Sequence, residues 1–173
     1  PLIRMKESYF TIDAQSQGLY KDRGSKFFAF AIPVSSEEEI KTHLDKLRKE
    51  YHDARHHCYG WMLKSDYSMS RANDDGEPSS SAGKPILNQI ESRELTNVLV
   101  VVIRYFGGTL LGVGGLINAY RTAAAEALEN SNIIKKYIYK TFEIHFNYSL
   151  MNAVMKIIKE HDLNNYDHQF ELS

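Results

Sequence analysis

Three carboxylates lie close together in a short polar segment of the chain. Asp74, Asp75 and Glu77 fall within four consecutive residues, among Gly, Ser and Pro. Hard divalent cations prefer such oxygen ligands, and His57 would join them if the segment folded back over a neighbouring strand. The spacing matches no EF-hand, and Asp-Gly and Glu-Pro pairs are equally typical of a solvated turn. Capping of loops and helices is therefore the favoured role of these side chains, with a metal site as the alternative.

A second segment combines a cation, aromatic rings and glycines. Arg104 supplies charge, Tyr105 and Phe106 supply ring faces, and Gly107 and Gly108 let a ligand approach the backbone. With the amides of a following helix start, this segment predicts an anion or nucleotide site. The alternative is a tight turn that packs a helix closely on a sheet, because neither GxGxxG nor a GK[ST] ending is present.

Two histidines and the only cysteine of the chain are adjacent at residues 56–58. They suggest a nucleophile with a base, but neighbours on a strand point to opposite faces, so His57 and Cys58 should not meet. A small buried cysteine is the favoured interpretation. The serines at 79–81 do not match the GxSxG pattern of a nucleophile elbow. The sequence therefore indicates no thiol or acyl-transfer enzyme.

Two further sets of side chains could contact RNA. His57, Tyr59 and Trp61 alternate on one face of the same strand, where they are either core residues or a stacking platform. Basic residues are scattered near the predicted loops, which ordinarily means a solvated surface. Only clustering in space would make them a nucleic-acid site. They are Lys21, Arg23, Lys26, Arg55, Arg71, Lys84, Arg93 and Arg104.

The elements of the first half follow from hydrophobic periodicity. Ser36 precedes Glu39 at the spacing of a capping box, and apolar residues then recur every three or four positions. Alternating apolar positions and polar, glycine-containing separators predict strands on either side of this helix. The predicted elements are strand 9–12, strand 26–32, helix 37–51 and strand 56–63.

The second half begins with a polar segment, 64–84, that lacks apolar periodicity and is predicted to be a long loop. A continuous apolar run at 98–103 then fits a strand buried on both faces. Later, apolar residues alternate with Glu143, His145 and Asn147, as in a half-buried strand. The predicted elements are helix 85–91, strand 97–104, helix 113–130, strand 142–148, helix 149–161 and strand 164–172.

Composition narrows the class of protein. The chain has 173 residues, 43% hydrophobic and 25% charged, which is typical of globular proteins. No apolar run approaches the roughly 20 residues that span a bilayer, and no secretory core is evident at the amino terminus, so we expect a cytoplasmic protein without membrane contact. The formal net charge of −1 gives no global attraction to nucleic acid.

Three ordered motifs carry a family resemblance: Arg55–Tyr59, Asp74–Pro85, and Asn97 through Tyr120. Together the motifs, over roughly 9–133, resemble the YigZ/IMPACT family. The resemblance implies an α+β fold, in which a two-layer α/β domain over 1–133 is similar to the second domain of a small-subunit ribosomal protein. A partial ferredoxin-like βαβ module, similar to the start of the last domain of elongation factor G, would follow over 134–173.

The resemblance also implies a function. The best-studied eukaryotic members of the family are linked to translational control, through an activator of the amino-acid-starvation kinase, rather than to catalysis. We therefore expect a non-enzymatic binding protein without a cofactor, acting in translation or its regulation through RNA, ribosome or protein contact. The alternatives are a metal-assisted hydrolase of a phosphorylated small molecule, using the loop that carries Asp74, Asp75 and Glu77, and a pure protein-interaction module.

The expected site joins two segments, the acidic loop of residues 74–84 and the glycine turn of residues 104–108. Lys84 and Arg104 would hold an anionic group, while the two rings after Arg104 stack or pack. The chain departs from the family pattern at Ser80 and Ser81, where one glycine is lost, and at Leu110 and Asn118, where basic residues often occur. Ser80 and Ser81 keep small polar residues in the loop. The change at Leu110 and Asn118 shifts the expected contact from diffuse basic attraction to Arg104, the glycine pair and the backbone amides of the turn.

Overall fold

The structure is a computed structural model that describes residues 8–165. Within that range, the chain divides into two compact units, the first ending at Tyr139 and the second beginning at Lys140. No helix in residues 8–165 is long and apolar enough to cross a membrane. The domain boundary predicted after residue 133 stays a prediction, and the strand Ile133–Tyr137 lies in the first compact unit.

The first unit contains strands and three α-helices, and the second contains a fourth α-helix, preceded by a short 3-10 turn at Tyr148–Leu150. The fold is therefore mixed α/β with antiparallel sheets. In chain order the elements are β1 Ser8–Ile12, β2 Ser16–Asp22, β3 Ser25–Pro33, α1 Glu37–Glu50, β4 His56–Leu63, β5 Met69–Asn73, α2 Gly83–Ser92, β6 Val98–Tyr105, α3 Gly112–Glu129, β7 Ile133–Tyr137 and α4 Met151–Glu160.

The main sheet has the strand order β2-β3-β6-β4-β5, and all of its neighbouring strands are antiparallel. Strand β6 lies at its centre, and the apolar run 98–103 is fully buried, which confirms the prediction of a strand covered on both faces. Val98, Val100 and Val102 pack with the apolar side chains of α2 and α3. The alternate residues of β6 pack with those of α1.

Strand β4 follows the same alternation. Cys58 and Met62 face the cluster that contains α2 and α3, whereas Tyr59 and Trp61 face α1. Both aromatic side chains are buried there, so the stripe that begins at His57 belongs to the core and is not a stacking platform. The sheet is thus a layer between α1 on one face and α2 with α3 on the other. The two-layer arrangement implied by the resemblance is therefore wrong, because apolar residues on both faces of the sheet are covered by helices.

Helix α1 begins where the sequence predicts. The Ser36 hydroxyl accepts a hydrogen bond from the Glu39 amide at 3.2 Å. The Glu39 carboxylate accepts from the amide of Ser35 at 2.7 Å, one residue earlier than in a standard capping box. This backbone hydrogen bond lowers the pKa of Glu39. Acidic residues in the first turn also suit the helix dipole.

Strand β2 was absent from the prediction because its segment is polar. Gly18 lets α3 approach so closely that a Cβ at this position would lie 2.5 Å from the Ala127 amide nitrogen. Side chains of α3 and its C-cap also bind the backbone of the strand. Glu126 accepts from the Leu19 amide at 3.2 Å, and the C-cap residue Asn130 donates to the Gln17 carbonyl at 2.8 Å. The strand therefore depends on α3 rather than on its own apolar pattern.

Two other strand predictions were wrong. Segment 64–84 is not entirely loop, because β5 pairs with β4 as a largely exposed edge strand that needs no apolar pattern. Residues 142–147 form no strand, and Phe142 and Ile144 are exposed, because no strand between residues 8 and 165 pairs with this segment. The predicted helix 149–161 is present as α4. Of the predicted final strand, residues 164 and 165 are not in a strand, and 166–172 lie outside the described residues.

Candidate functional site

Arg104 and Glu77 form a buried ion pair where the sequence motifs meet. Arg104 lies opposite Phe27 and His56 in the sheet and is only 5% exposed. Its Nη1 donates to Glu77 Oε1 at 2.6 Å, and the hydroxyl of Tyr120 on α3 donates to the same oxygen at 2.7 Å. The acidic loop is therefore fastened to the end of β6 and to α3 by a single carboxylate.

The Tyr120 hydroxyl must stay protonated in order to donate to Glu77. Burial, followed by the nearby Cys58 and Glu77, raises the pKa of Tyr120 far above its ordinary value, so the phenol remains a donor. His56 completes the surroundings of Glu77, with its Nε2 4.0 Å from Oε1. Because an unpaired buried charge is costly, the network stabilises the fold only while both Arg104 and Glu77 are present.

Asp74 acts on the backbone of its own loop and of the next helix. Its Oδ2 accepts from the Ser80 amide at 2.8 Å. Its Oδ1 accepts from the amides of Ala82 and Gly83, at 3.1 and 2.8 Å. Ala82, at the N-cap position of α2, has no side chain that could do this, so Asp74 provides the missing cap and places a negative charge at the positive helix end.

Asp75 joins the acidic loop to the start of β4. Its Oδ2 accepts from the His57 amide at 2.6 Å, and its carbonyl lies 2.8 Å from His56 Nδ1. His57 itself is buried, and its Nε2 lies 3.0 Å from the Tyr51 carbonyl. Because a carbonyl can only accept, this nitrogen carries a proton and ties the end of α1 to β4.

Cys58 is also part of the network. Its thiol donates to the Asp74 carbonyl at 3.0 Å, on the sheet face opposite His57. Burial raises the pKa of the Cys58 thiol well above its usual range, so the nucleophilic thiolate is disfavoured. Ser81 is buried as well, and its hydroxyl donates to the Pro78 carbonyl at 2.6 Å. The Cys58 thiol and the Ser81 hydroxyl therefore both stabilise the backbone of the loop.

The three carboxylates do not converge. Asp74 binds backbone amides, Asp75 binds the start of β4, and Glu77 binds Arg104 and Tyr120. Across residues 8–165, no group of three or more His, Cys, Asp or Glu side chains is arranged to hold a metal ion. The capping role favoured by the sequence is what the geometry shows for Asp74.

The glycine turn is bound to the β2–β3 hairpin. A Cβ at Gly107 would overlap the backbone of Gly24, and the Gly107 amide donates to the Ser25 hydroxyl at 3.1 Å. Gly108 and Gly112 have φ angles of +88° and +71°, which other residues rarely adopt. The tight-turn interpretation therefore accounts for these glycines, whether or not a ligand also binds.

The outer surface of this turn is apolar. Phe106, Leu110 and Val113 are 49%, 82% and 53% exposed. We call residues 106–113 the contact turn. The Arg104 guanidinium carbon lies 5.6 Å from the Phe106 ring centroid and 5.5 Å from that of Phe27, so the cation contacts both rings. Its Nε is buried and forms no hydrogen bond within the described residues.

Other expected site residues lie apart from Arg104. Tyr105 points to the α1 face, where its hydroxyl donates to Asp53 at 2.7 Å. Burial, then this hydrogen bond, raises the pKa of Tyr105 to about 12. Lys84 is exposed in the first turn of α2 and forms no ion pair in the described part of the chain. Sequence reasoning missed the partner Tyr120, since its apolar helical spacing indicates only a core residue.

The chain belongs to the family of the Impact N-terminal domain, whose model matches residues 23–128. It is 31% identical to the IMPACT family member YvyE of Bacillus subtilis over 156 residues, which cover 90% of this chain and 72% of that protein. The family resemblance carried by the three motifs is thereby confirmed.

Two solved structures are similar. One, described as an hypothetical protein, is 30% identical with a TM-score of 0.77 and covers 95% of this chain and 82% of its own. The other, described as the two-domain translational regulator Yih1, is 30% identical with a TM-score of 0.41 and covers 76% of this chain and 50% of its own. The first match supports the mixed α/β architecture over nearly the whole chain.

Proposed function

We propose that this protein is a cytoplasmic, non-enzymatic binding protein that acts in translation or its regulation, through contact with RNA, the ribosome or another protein. Family membership supports the proposal, because the resemblance links the family to translational control. The observation that carries it is a contrast between internal partners and exposure. The three carboxylates, Arg104 and Cys58 have partners inside the fold, whereas the apolar side chains of the contact turn are exposed.

The contact turn has the properties of a binding surface. Leu110 and Val113 present apolar area to solvent, and a Cβ at Gly108, Gly112 or Gly114 would meet no atom within 4 Å. A partner can therefore approach the backbone closely and bury the apolar side chains against itself. The first turn of α3 adds amides that no N-cap side chain satisfies.

The fold comparison expected from the resemblance belongs to the same proposal. We take the first domain, 1–133, to be similar to the second domain of a small-subunit ribosomal protein. The module at 134–173 would be the start of a ferredoxin-like domain. In support of the second assignment, α4 is amphipathic and contributes no fully buried side chain, as in a helix that belongs to a larger layer.

Cosedimentation with purified bacterial ribosomes, with and without nuclease treatment, tests the function. The double variant Leu110→Ser/Val113→Ser removes apolar area without touching the buried network, so it should fold normally and bind at least roughly tenfold more weakly. Ile133→Ser/Ile157→Ser is the matched control, since both side chains are exposed and apolar but lie elsewhere. Absence of any ribosome or translation-protein binding by the wild type refutes the function, and equal binding by both double variants refutes the surface.

Nothing in the geometry favours the hydrolase alternative. That mechanism needs carboxylates that face one cleft, and Asp74, Asp75 and Glu77 are each held by a different partner. A pure protein-interaction module would use the same contact turn. In that case, the partner captured in the sedimentation experiment remains bound after nuclease digestion.

A further inference from the structure

The end of the β2–β3 hairpin brings basic residues together. Lys21 lies directly opposite Lys26, and Leu19 lies opposite Phe28. Lys26 also lies opposite Tyr105 on the next strand. Because directly opposed residues share a face of the sheet, these five side chains form one surface, which we call the hairpin patch.

The hairpin patch lies on the α1 face but is not covered by α1. The helix ends at Glu50, and its C-cap residue Tyr51 reaches only as far as Phe28, with 6.4 Å between ring centroids. Leu19 is 39% exposed and both lysines are exposed, whereas Phe28 is half-buried. This corner of the sheet is therefore accessible to a ligand.

Positive charge in the hairpin patch is not compensated locally. Like charges directly opposite each other on adjacent strands are destabilising, yet Lys21 and Lys26 form no ion pair in residues 8–165. Arg23, in the hairpin turn, adds a third exposed cation without an ion pair in the same residues. Among nearby carboxylates, Asp53 accepts from Tyr105 and forms no ion pair with either lysine in residues 8–165. Asp22 lies opposite Ser25 on the other side of the strand. An anionic ligand would relieve this repulsion.

Aromatic rings lie beside these cations in fixed orientations. Phe28 and Tyr105 are perpendicular, with centroids 5.9 Å apart, and Tyr51 is inclined by 29° to Phe28. The Tyr105 hydroxyl is anchored by Asp53. Rings that are already ordered lose little freedom when a planar group packs on them.

We infer that the hairpin patch binds single-stranded RNA, with Lys21 and Lys26 at phosphates and a base against the ring of Phe28, whose edge-to-face neighbour is Tyr105. Cations that follow a backbone beside aromatic rings are the usual elements of single-strand recognition. An acidic peptide would satisfy the lysines but has no use for the rings. The inference rests on the proposed function, because RNA is one of its proposed partners, but it concerns a surface other than the contact turn.

Fluorescence anisotropy of the full chain with a labelled oligouridine of about 12 nucleotides tests the inference. The variant Lys21→Glu/Lys26→Glu should bind roughly tenfold more weakly at low salt, and the slope of log K against log salt should fall by about 1.4, which corresponds to two phosphate contacts. Lys41→Glu/Lys49→Glu, on the exposed surface of α1, changes the net charge equally. If this control loses as much affinity, the effect is global charge and the inference is wrong.

The rings are tested separately. Phe28→Leu should weaken binding about fivefold or more with an unchanged salt slope, because a stacking contact is lost and no charge changes. Its folding is checked by circular dichroism, and Tyr105→Phe, which keeps the ring, should bind as the wild type does. Wild-type affinity in Phe28→Leu, or displacement of the RNA by polyglutamate at equal charge concentration, overturns the assignment to RNA.

Ribosome cosedimentation separates this inference from the proposed function. If the wild type binds ribosomes but not oligouridine, the hairpin patch assignment fails and the proposed function stands. If it binds oligouridine through Lys21 and Lys26 but neither ribosomes nor a translation protein, the patch is correct and the proposed function fails.

Discussion

Replacing Glu77 by alanine tests whether the motif residues stabilise the fold rather than wait for a ligand. The side chains of Arg104 and Glu77 are 6% and 4% exposed, and their contact of 2.6 Å is buried. Removing the carboxylate leaves a buried guanidinium without its counter-charge and the Tyr120 hydroxyl without its acceptor. Loss of one partner of such a pair costs about 3–5 kcal/mol. We therefore expect Glu77→Ala to lose about 4 kcal/mol of unfolding free energy.

Urea unfolding followed by tryptophan fluorescence measures this loss. Trp61 is the only tryptophan and is buried beneath α1, so it reports on unfolding of the first unit. With an m-value of about 2 kcal/mol/M, a loss of 4 kcal/mol moves the midpoint by about 2 M. Glu77→Gln keeps an oxygen acceptor but not the charge, so it should fall between the wild type and Glu77→Ala.

A double-mutant cycle decides whether the loss comes from the pair. Arg104→Met removes the charge that Glu77→Ala leaves uncompensated, so the double variant should be less destabilised than the two single variants together by about 2 kcal/mol or more. Additive effects, or a Glu77→Ala midpoint within experimental error of the wild type, would show that the buried ion pair does not hold the acidic loop.

Three further predictions follow from the site. Asp74→Ala removes the carboxylate that accepts from the Ser80 amide in the loop and from the Ala82 and Gly83 amides at the start of α2, and it should cost about 1–2 kcal/mol in urea unfolding. A cost below about 0.5 kcal/mol argues against the cap. Since burial raises the pKa of Cys58, its thiol should react with a disulfide reagent far faster in urea than in the folded state, and equal labelling rates would contradict this. The raised pKa also makes stability depend on pH: the contribution of Cys58 is complete below the unfolded-state pKa of about 8.5 and falls as the pH rises above it. Gly107→Ala should destabilise the fold by about 2 kcal/mol or more, because the added Cβ overlaps the backbone of Gly24. Gly114→Ala should stabilise it by up to about 1 kcal/mol, because Gly114 is helical and the added Cβ has open space. Thermal unfolding of the two variants shows whether the melting temperature falls in the first and rises in the second.

The sequence predicted those elements whose own residues define them. Helix α1 and strands β4 and β6 carry strong apolar periodicity, and their predicted bounds differ from the observed ones by no more than one residue. Strands β2, β5 and β7 escaped prediction because they depend on backbone pairing with β3, β4 and β1, respectively, and not on an apolar pattern of their own. Strand 142–148 failed for the opposite reason, since its alternation has no paired strand in the described residues.

The site was predictable in its location more than in its chemistry. The ordered motifs indicated that the acidic loop and the end of β6 belong together, and Glu77 does meet Arg104. Sequence could not show that both would be buried, because that depends on Tyr120 and Phe27, contributed by α3 and β3. Residue type alone does not distinguish a cation held for a ligand from one held by the fold.

Some residues of the motifs are needed for folding, whereas others are free to determine what the protein binds. Arg104, Asp74 and Glu77 each satisfy a group elsewhere in the fold, so their substitution should change stability before it changes any partner. Leu110 has no such internal role, because it is 82% exposed on a turn whose geometry is set by glycines. Substitution of Leu110 should therefore alter what the turn can bind at little cost to folding. Differences in partner between this protein and similar ones should therefore be sought at Leu110 and in the hairpin patch, on a scaffold that the motif residues keep in place.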